Sequence, residues 1–135
     1  MDILKIIYLT IIILFLDILW IYFNYNNYDK TVQKIQGSSI KLNMTAGILC
    51  YLLLFVSLVY YAIPMIEYQI KVNKYKKWEA CLIYGGGLGF IIYGVYNLTT
   101  LSILKNHNWQ ISILDMLWGT FLYSLVTLIY FYLLI

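Results

Sequence analysis

Two aspartates lie inside long apolar stretches of this chain, and each is followed three residues later by a tryptophan. The segments Leu16–Phe23 and Leu114–Phe121 both read L-D-x-L-W-x-x-F. Residues three apart lie on one face of a helix, so each carboxylate would sit beside an indole. A charged side chain in hydrocarbon costs about 2.5–3.5 kcal/mol at the bilayer centre and less near its surface, which makes these acids the first candidates for chemistry.

A third apolar segment adds polar groups at a similar depth. Tyr93, Asn97 and Thr100 share one helix face by their spacing of four and three residues. Together with the two Asp–Trp pairs they form a predicted site for a small ligand or a cation. The predicted ligand- or ion-binding residues are Asp17, Trp20, Tyr93, Tyr96, Asn97, Thr100, Asp115 and Trp118.

Three arrangements would relieve the cost of burying two carboxylates. One carboxyl could stay protonated, a cation could lie between the two, or Trp, Tyr, Asn and Thr groups could satisfy both, with Lys105 or Lys41 reaching in from the surface. Structural roles are the alternative. Ser112 and Asp115 fit a capping box, although Glu or Gln is its usual acid. Asp17 lies well inside its segment and would then be a hydrogen-bonded structural residue, with the tryptophans as packing elements.

Composition indicates a membrane protein. The 135 residues are 63% hydrophobic and 11% charged, whereas soluble domains are about half apolar and about a quarter charged. The net charge of +3 comes from lysines in short connections, which membrane topology explains. This pattern argues against nucleic-acid binding, which favours an arginine-rich basic stripe on a soluble surface.

Four segments are long enough to span a bilayer, which takes about 20 apolar residues. The sequence therefore predicts an all-α fold, a polytopic four-helix transmembrane bundle forming a single domain over residues 1–135. The N-terminal run is interpreted as a retained helix, since it contains Asp17 and lacks a small-residue cleavage site. The predicted spans are Ile3–Phe23, Met44–Ile66, Glu79–Leu104 and Ile111–Ile135.

The connection between the first two spans is the only sizeable one. Tyr28, Val32 and Ile35 recur there at helical spacing, with Asp29 as support for a helix start and Gly37 as a stop. We predict a short amphipathic helix lying at the membrane surface. The next span then begins at an Asn43 cap, and the third connection is a tight turn.

Four spans place both termini on one side of the membrane. The side with the termini holds five lysines and the opposite side holds four. Because four of the five lie close together in the second connection, the pattern slightly favours a cytoplasmic N-terminus. Trp78 and Trp109 are expected to be interfacial anchors. The lysines on the side of the termini are Lys5, Lys71, Lys74, Lys76 and Lys77, and those on the opposite side are Lys30, Lys34, Lys41 and Lys105.

Gly85 and Gly89 form a G-x-x-x-G pair that predicts close helix packing, within the bundle or between copies in a homo-oligomer. Pro64 is expected to end or kink the second helix.

The remaining reactive side chains predict no metal or redox chemistry. Cys50 and Cys81 fall near opposite membrane faces and should not form a disulfide. His107, the lone histidine, has no metal-type neighbour. The sequence names no cofactor, metal site or catalytic residue.

The three polar segments together resemble one family of short membrane proteins, domain-of-unknown-function family 2177. The resemblance rests on Asp17-x-x-Trp20, on Tyr93–Thr99 and on Asp115–Thr120, and it covers nearly the whole chain. It implies the four-span layout and a short helical first loop. Members usually read Y-D-L-T-N where Tyr96–Thr100 reads Y-N-L-T-T, so this chain lacks an acid and an amide. The family has no assigned activity and implies no reaction.

Three functions therefore remain open. The acids could form a binding or transport module for a cation, proton or small amphipathic ligand. They could instead act as acid and base in a membrane-embedded lipid-modifying enzyme, although no convincing nucleophile, metal cluster or cofactor motif accompanies them. The chain could also be a structural or assembly protein without chemistry. The sequence slightly favours the first reading over the third and leaves enzyme activity uncertain. It predicts the lipid bilayer as a partner and leaves a homo-oligomer and a small ligand or cation open.

Overall fold

The chain folds into four long helices joined by short connections, in a computed structural model that describes residues 2–135. All four are long and apolar enough to cross a membrane, and no strand occurs in the described range. The predicted all-α fold with four membrane-spanning helices is therefore confirmed. The helices are α1 (Ile3–Gln36), α2 (Met44–Lys71), α3 (Lys77–Ile103) and α4 (Trp109–Leu134).

The separate surface helix predicted for the first connection is wrong, because α1 continues without a break through that region. No Gly or Pro interrupts α1, and the Asn24 side chain donates to the Trp20 carbonyl at 3.0 Å. The predicted stop at Gly37 is confirmed by its positive φ of 76° and its N–H bond to Gln33. The 34 residues of α1 span about 51 Å, so its last turns extend beyond a hydrocarbon core of about 30 Å.

Asp29 supports no helix start, and instead fastens the chain that follows α1. Its carboxylate accepts hydrogen bonds from the Ile40 N–H at 2.8 Å and from Gln33 Nε2 at 2.8 Å. The loop after Gly37 is thereby folded back onto the end of α1. The residues that recur there at helical spacing, Tyr28, Val32 and Ile35, line a cavity between α1, α3 and α4.

The second helix begins at the predicted cap and continues past its proline. Asn43 Oδ1 accepts from the Ala46 N–H at 3.1 Å. Pro64 does not end the helix, which changes to a wider π-helical turn over Leu58–Ala62 and then runs on to Lys71. A proline lacks an N–H and crowds the preceding turn, and a wider turn accommodates both effects.

The fourth helix begins earlier than the capping-box interpretation requires. Asn108 is the cap, and its Oδ1 accepts from the Gln110 N–H at 2.8 Å. Ser112 and Asp115 therefore lie inside the helix, and the buried Ser112 hydroxyl has no hydrogen-bond partner within residues 2–135. Asp115 is consequently not a capping residue, and its position in the helix interior needs another explanation.

Glycines bring α3 and α4 into their closest contact. A Cβ on Gly85 would overlap the Thr127 side chain, and one on Gly89 would overlap the Gly119 carbonyl and lie 2.9 Å from Tyr123 Cβ. Both glycines thus serve packing inside the bundle. An apolar core fills the half of the bundle away from the two motif aspartates, around Leu9, Ile13, Leu58, Ile66, Leu122 and Val126.

The two cysteines form no disulfide. Cys50 is exposed on α2 and Cys81 is buried on α3, and both are free thiols.

Candidate functional site

Asp17 joins all four helices through neutral donors. The side chain is 7% exposed, and its carboxylate accepts from Trp118 Nε1 of α4 at 2.8 Å. The hydroxyls of Tyr51 in α2 and Tyr93 in α3 donate to it at 2.7 and 3.3 Å. Each donor comes from a different helix, so one carboxylate holds α2, α3 and α4 to α1.

Asp115 has a smaller set of partners. Its carboxylate accepts from the Tyr28 hydroxyl of α1 at 2.8 Å and from Asn97 Nδ2 of α3 at 2.7 Å. The Tyr28 hydroxyl in turn accepts from Trp20 Nε1 at 2.9 Å. Asn97 is 2% exposed, and its amide also donates to the Tyr93 carbonyl at 2.8 Å.

The two copies of the Asp–Trp motif meet face to face. The rings of Trp20 and Trp118 stack with centroids 4.7 Å apart and planes inclined by 4°. Trp118 donates directly to Asp17, while Trp20 reaches Asp115 through Tyr28. Because α1 and α4 run in opposite directions, the tryptophan of each motif lies on the side of the other motif's aspartate. Both aspartates therefore lie near one depth.

A glycine in the fourth-helix motif makes room for one of the donors. A Cβ added to Gly119 would overlap the ring of Tyr93. That ring carries the hydroxyl that donates to Asp17. Gly119 therefore fixes the position of a site donor in addition to allowing α3 and α4 to approach.

A cavity of about 220 Å³ lies beside Asp115, between α1, α3 and α4. We call it the α1–α3–α4 cavity. Asp115 does not line it, but its two donors do. The polar residues in the wall are Tyr28, Thr31, Gln36, Asn97, Thr100 and His107. Tyr96 also lines the cavity and is otherwise largely exposed, and the Thr100 hydroxyl donates to its carbonyl at 2.7 Å.

His107 stands between this cavity and the loop surface. It also borders a wider, more open depression of about 510 Å³, whose other lining residues are Lys34, Asn106 and Asn108. Both ring nitrogens are enclosed and have no hydrogen-bond partner within residues 2–135. Burial lowers the pKa of His107 below its usual 6.5, so the ring is neutral at pH 7. No group of three metal-ligating side chains occurs in that range.

We expect a titration of the only imidazole in the chain, followed by NMR in detergent, to give a pKa below 6.5. The folded protein then binds fewer protons than the unfolded chain. The contribution of His107 to the free energy of unfolding should be full above about pH 6.5 and should fall as the pH drops towards the folded-state pKa. His107→Gln should remove this pH dependence, and a measured pKa at or above 6.5 would contradict the prediction.

The predicted site residues thus divide into two connected groups. Asp17, Tyr93 and Trp118 form one, Asp115, Asn97 and Trp20 the other, and Tyr96 and Thr100 lie in the cavity wall. The groups that donate hydrogen bonds to the two carboxylates are all neutral, and neither Lys41 nor Lys105 is among them.

Sequence reasoning missed two donors, Tyr28 and Tyr51. Tyr28 lies eleven residues, about three turns, after Asp17, so it shares that face once α1 is known to be continuous. Tyr51 lies in a uniformly apolar segment and carries no comparable signal.

Comparison with known proteins identifies the family of this chain but no activity. The model of a family described as predicted membrane protein, DUF2177, matches residues 3–132. No curated protein and no solved structure matches the chain. The match includes every residue of the two acid-centred groups, all of α1, α2 and α3, and α4 as far as Tyr132. The chain therefore belongs to the DUF2177 family of predicted membrane proteins.

Proposed function

We propose that this protein is a small multi-pass membrane module that binds or transports a small ligand or cation in the cavity beside Asp115. The observation that carries the proposal is the position of its two donors. Tyr28 and Asn97 both donate to Asp115 and both line the α1–α3–α4 cavity. A ligand in that cavity would therefore lie one hydrogen bond from a carboxylate inside the membrane protein.

The two acids are not equivalent. A carboxylate offers about four lone-pair sites. Asp17 fills three of them with donors from three helices, whereas Asp115 fills two. Asp115 keeps more acceptor capacity and adjoins a cavity. We therefore assign to Asp115 the negative charge that favours a bound ligand, and to Asp17 a structural role.

The Asp17 bonds by themselves support the alternative of a structural or assembly protein. A carboxylate that ties four helices together needs no ligand to explain it, because buried polar groups are ordinarily satisfied within the protein. The α1–α3–α4 cavity supports the binding proposal over this alternative, since a purely structural cluster gains nothing from an opening beside Asp115. Catalysis on lipid has less support, because the groups that contact Asp115 are a phenol and an amide.

The proposal is tested by native mass spectrometry of the detergent-purified protein. We expect a small molecule or cation bound to the wild type and reduced at least tenfold in Asp115→Asn, which keeps the size of the side chain and removes its charge. Asp2→Asn is the matched control, because Asp2 is exposed and its side chain makes no cap hydrogen bond. An empty wild type, or an equal load in all three proteins, would refute the proposal.

A further inference from the structure

Three of the four hydroxyl hydrogens in the wall of the α1–α3–α4 cavity are engaged within the protein, and the fourth belongs to the largely exposed Tyr96. Tyr28 donates to Asp115 at 2.8 Å. Thr31 donates to the Asn27 carbonyl at 3.1 Å, and Thr100 donates to the Tyr96 carbonyl at 2.7 Å. The hydroxyls of Thr31 and Thr100 can therefore offer the cavity only the lone pairs of their oxygens, while the Tyr28 oxygen already accepts from Trp20 Nε1.

The two amide side chains in the wall show the same bias. Asn97 Nδ2 donates to both the Tyr93 carbonyl and Asp115, so both of its hydrogens are engaged. Gln36 Nε2 donates to the carbonyls of Ser38 and Ser39 at 3.2 and 3.0 Å. What remains free on each residue is the amide oxygen, an acceptor. The one wall N–H still without a partner belongs to His107.

The charges near the cavity favour a positive ligand. Asp115 lies directly behind Tyr28 and Asn97, and no lysine lines the cavity. His107 is neutral at pH 7 because burial lowers its pKa. Lys34 borders the outer depression and, with Lys30, a further depression that shares Thr31 and Ile111 with the cavity, but neither lysine lines the cavity itself. A cation in the cavity would thus lie close to a carboxylate and meet no positive side chain in the wall.

The rest of the wall is apolar and the space is small. Val32, Ile35, Leu104 and Ile111 supply aliphatic surface, and Tyr96 adds an aromatic ring. A volume of about 220 Å³ is below the ~300–1,000 Å³ of pockets for drug-sized ligands. A bare alkaline-earth ion would want about six or more oxygen ligands, whereas the four aliphatic residues of the wall offer none.

We infer that the cavity binds a primary alkylammonium ion, with its N–H groups on the free oxygens of Asn97 and Thr100 and its short alkyl chain among the aliphatic residues. This inference rests on the proposed function of the same site and specifies its ligand class. Apart from His107 and Tyr96, the polar groups of the wall can only accept. Such a site discriminates against ligands without donors, because the wall oxygens would lose water and gain no partner.

The test is calorimetric titration of the full chain in detergent at pH 7 with four probes: hexylammonium, hexyltrimethylammonium, hexanol and Na⁺. The second probe keeps the charge and has no N–H, and the third keeps the chain length and one donor without the charge. We expect hexylammonium to bind at least tenfold more tightly than each of the other three.

Two substitutions check the location. Val32→Phe fills the cavity and should abolish hexylammonium binding, whereas Val95→Phe makes the same change on an exposed face of α3 and should leave it intact. Thr100→Val removes one acceptor without changing the shape and should weaken binding several-fold, which serves as the second test where Val32→Phe fails to fold.

The outcomes separate the two proposals. Equal or tighter binding of hexanol, hexyltrimethylammonium or Na⁺ would overturn the ammonium assignment and leave a ligand site at Asp115. Hexylammonium binding that survives both Val32→Phe and Thr100→Val would also overturn it. If no probe binds and native mass spectrometry finds the wild type empty, both the ligand class and the proposed function are refuted.

Discussion

We expect replacement of Asp17 with leucine to lower the free energy of unfolding by about 2–5 kcal/mol, the largest stability effect of any single side chain in the site. The substitution leaves three donors, Trp118 Nε1 and the hydroxyls of Tyr51 and Tyr93, without their acceptor. Each buried unpaired donor costs about 1–3 kcal/mol in soluble proteins. Measured side-chain hydrogen bonds in a membrane protein average about 0.6 kcal/mol, so we expect the total loss in the free energy of unfolding to fall in the lower part of the ~2–5 kcal/mol range.

The measurement is equilibrium unfolding in mixed detergent and SDS, followed by tryptophan fluorescence. Asp17→Asn is the matched variant, because it keeps one acceptor oxygen and should lose less than half as much. Asp2→Leu is the external control, since Asp2 is exposed and makes no side-chain cap. If Asp17→Leu were as stable as the wild type, Asp17 would not be the residue that ties the four helices together.

The second large effect is a new dependence of stability on pH in the Asn97→Asp variant. Asn97 Nδ2 lies 2.7 Å from an oxygen of Asp115, so the substitution sets two buried carboxyl groups face to face. Two carboxylates at this separation cannot both be ionised at low cost, and they hold one proton between them. The folded variant therefore binds about one proton more than its unfolded chain near neutral pH.

The sign of the effect follows from that extra proton. Since the folded state binds more protons, the free energy of unfolding of the variant should rise as the pH falls from about 8 to 5, by up to ~1.4 kcal/mol per pH unit. The comparison is with the wild type at each pH, because His107 acts in the opposite direction. Asn27→Asp, on an exposed part of α1, is the matched control and should show no such rise.

A variant whose stability relative to the wild type does not change with pH would show that Asp115 and position 97 do not share a proton.

The result bears on the family as well as on this chain. The pattern Y-D-L-T-N that the resemblance implies for other members has an acid at the position of Asn97. In this protein that position supplies a hydrogen-bond donor instead, and the paired acid that would hold a proton is absent.

Sequence and structure agree best on features that depend on neighbours along the chain. The L-D-x-L-W-x-x-F segments place each aspartate and its tryptophan on one helix face, and Gly37 and Asn43 end and begin helices as their residue types predict. The capping-box interpretation of Asp115 failed because two signals competed. Asn108 offers a better cap four residues before Ser112, and that moves Asp115 into the interior of α4.

What the sequence by itself determined is the four-helix membrane architecture and the faces that carry the acids. In hydrocarbon each backbone amide must be satisfied within its own segment, so an apolar run of sufficient length has one outcome. Only the tertiary structure decided which faces meet. The crossed support between the two motifs, the donation by Tyr28 and Tyr51, and the placement of Gly89 inside the bundle depend on contacts between distant segments. Helical periodicity fixes which residues share a face, but the partner of that face is set by the packing of whole helices.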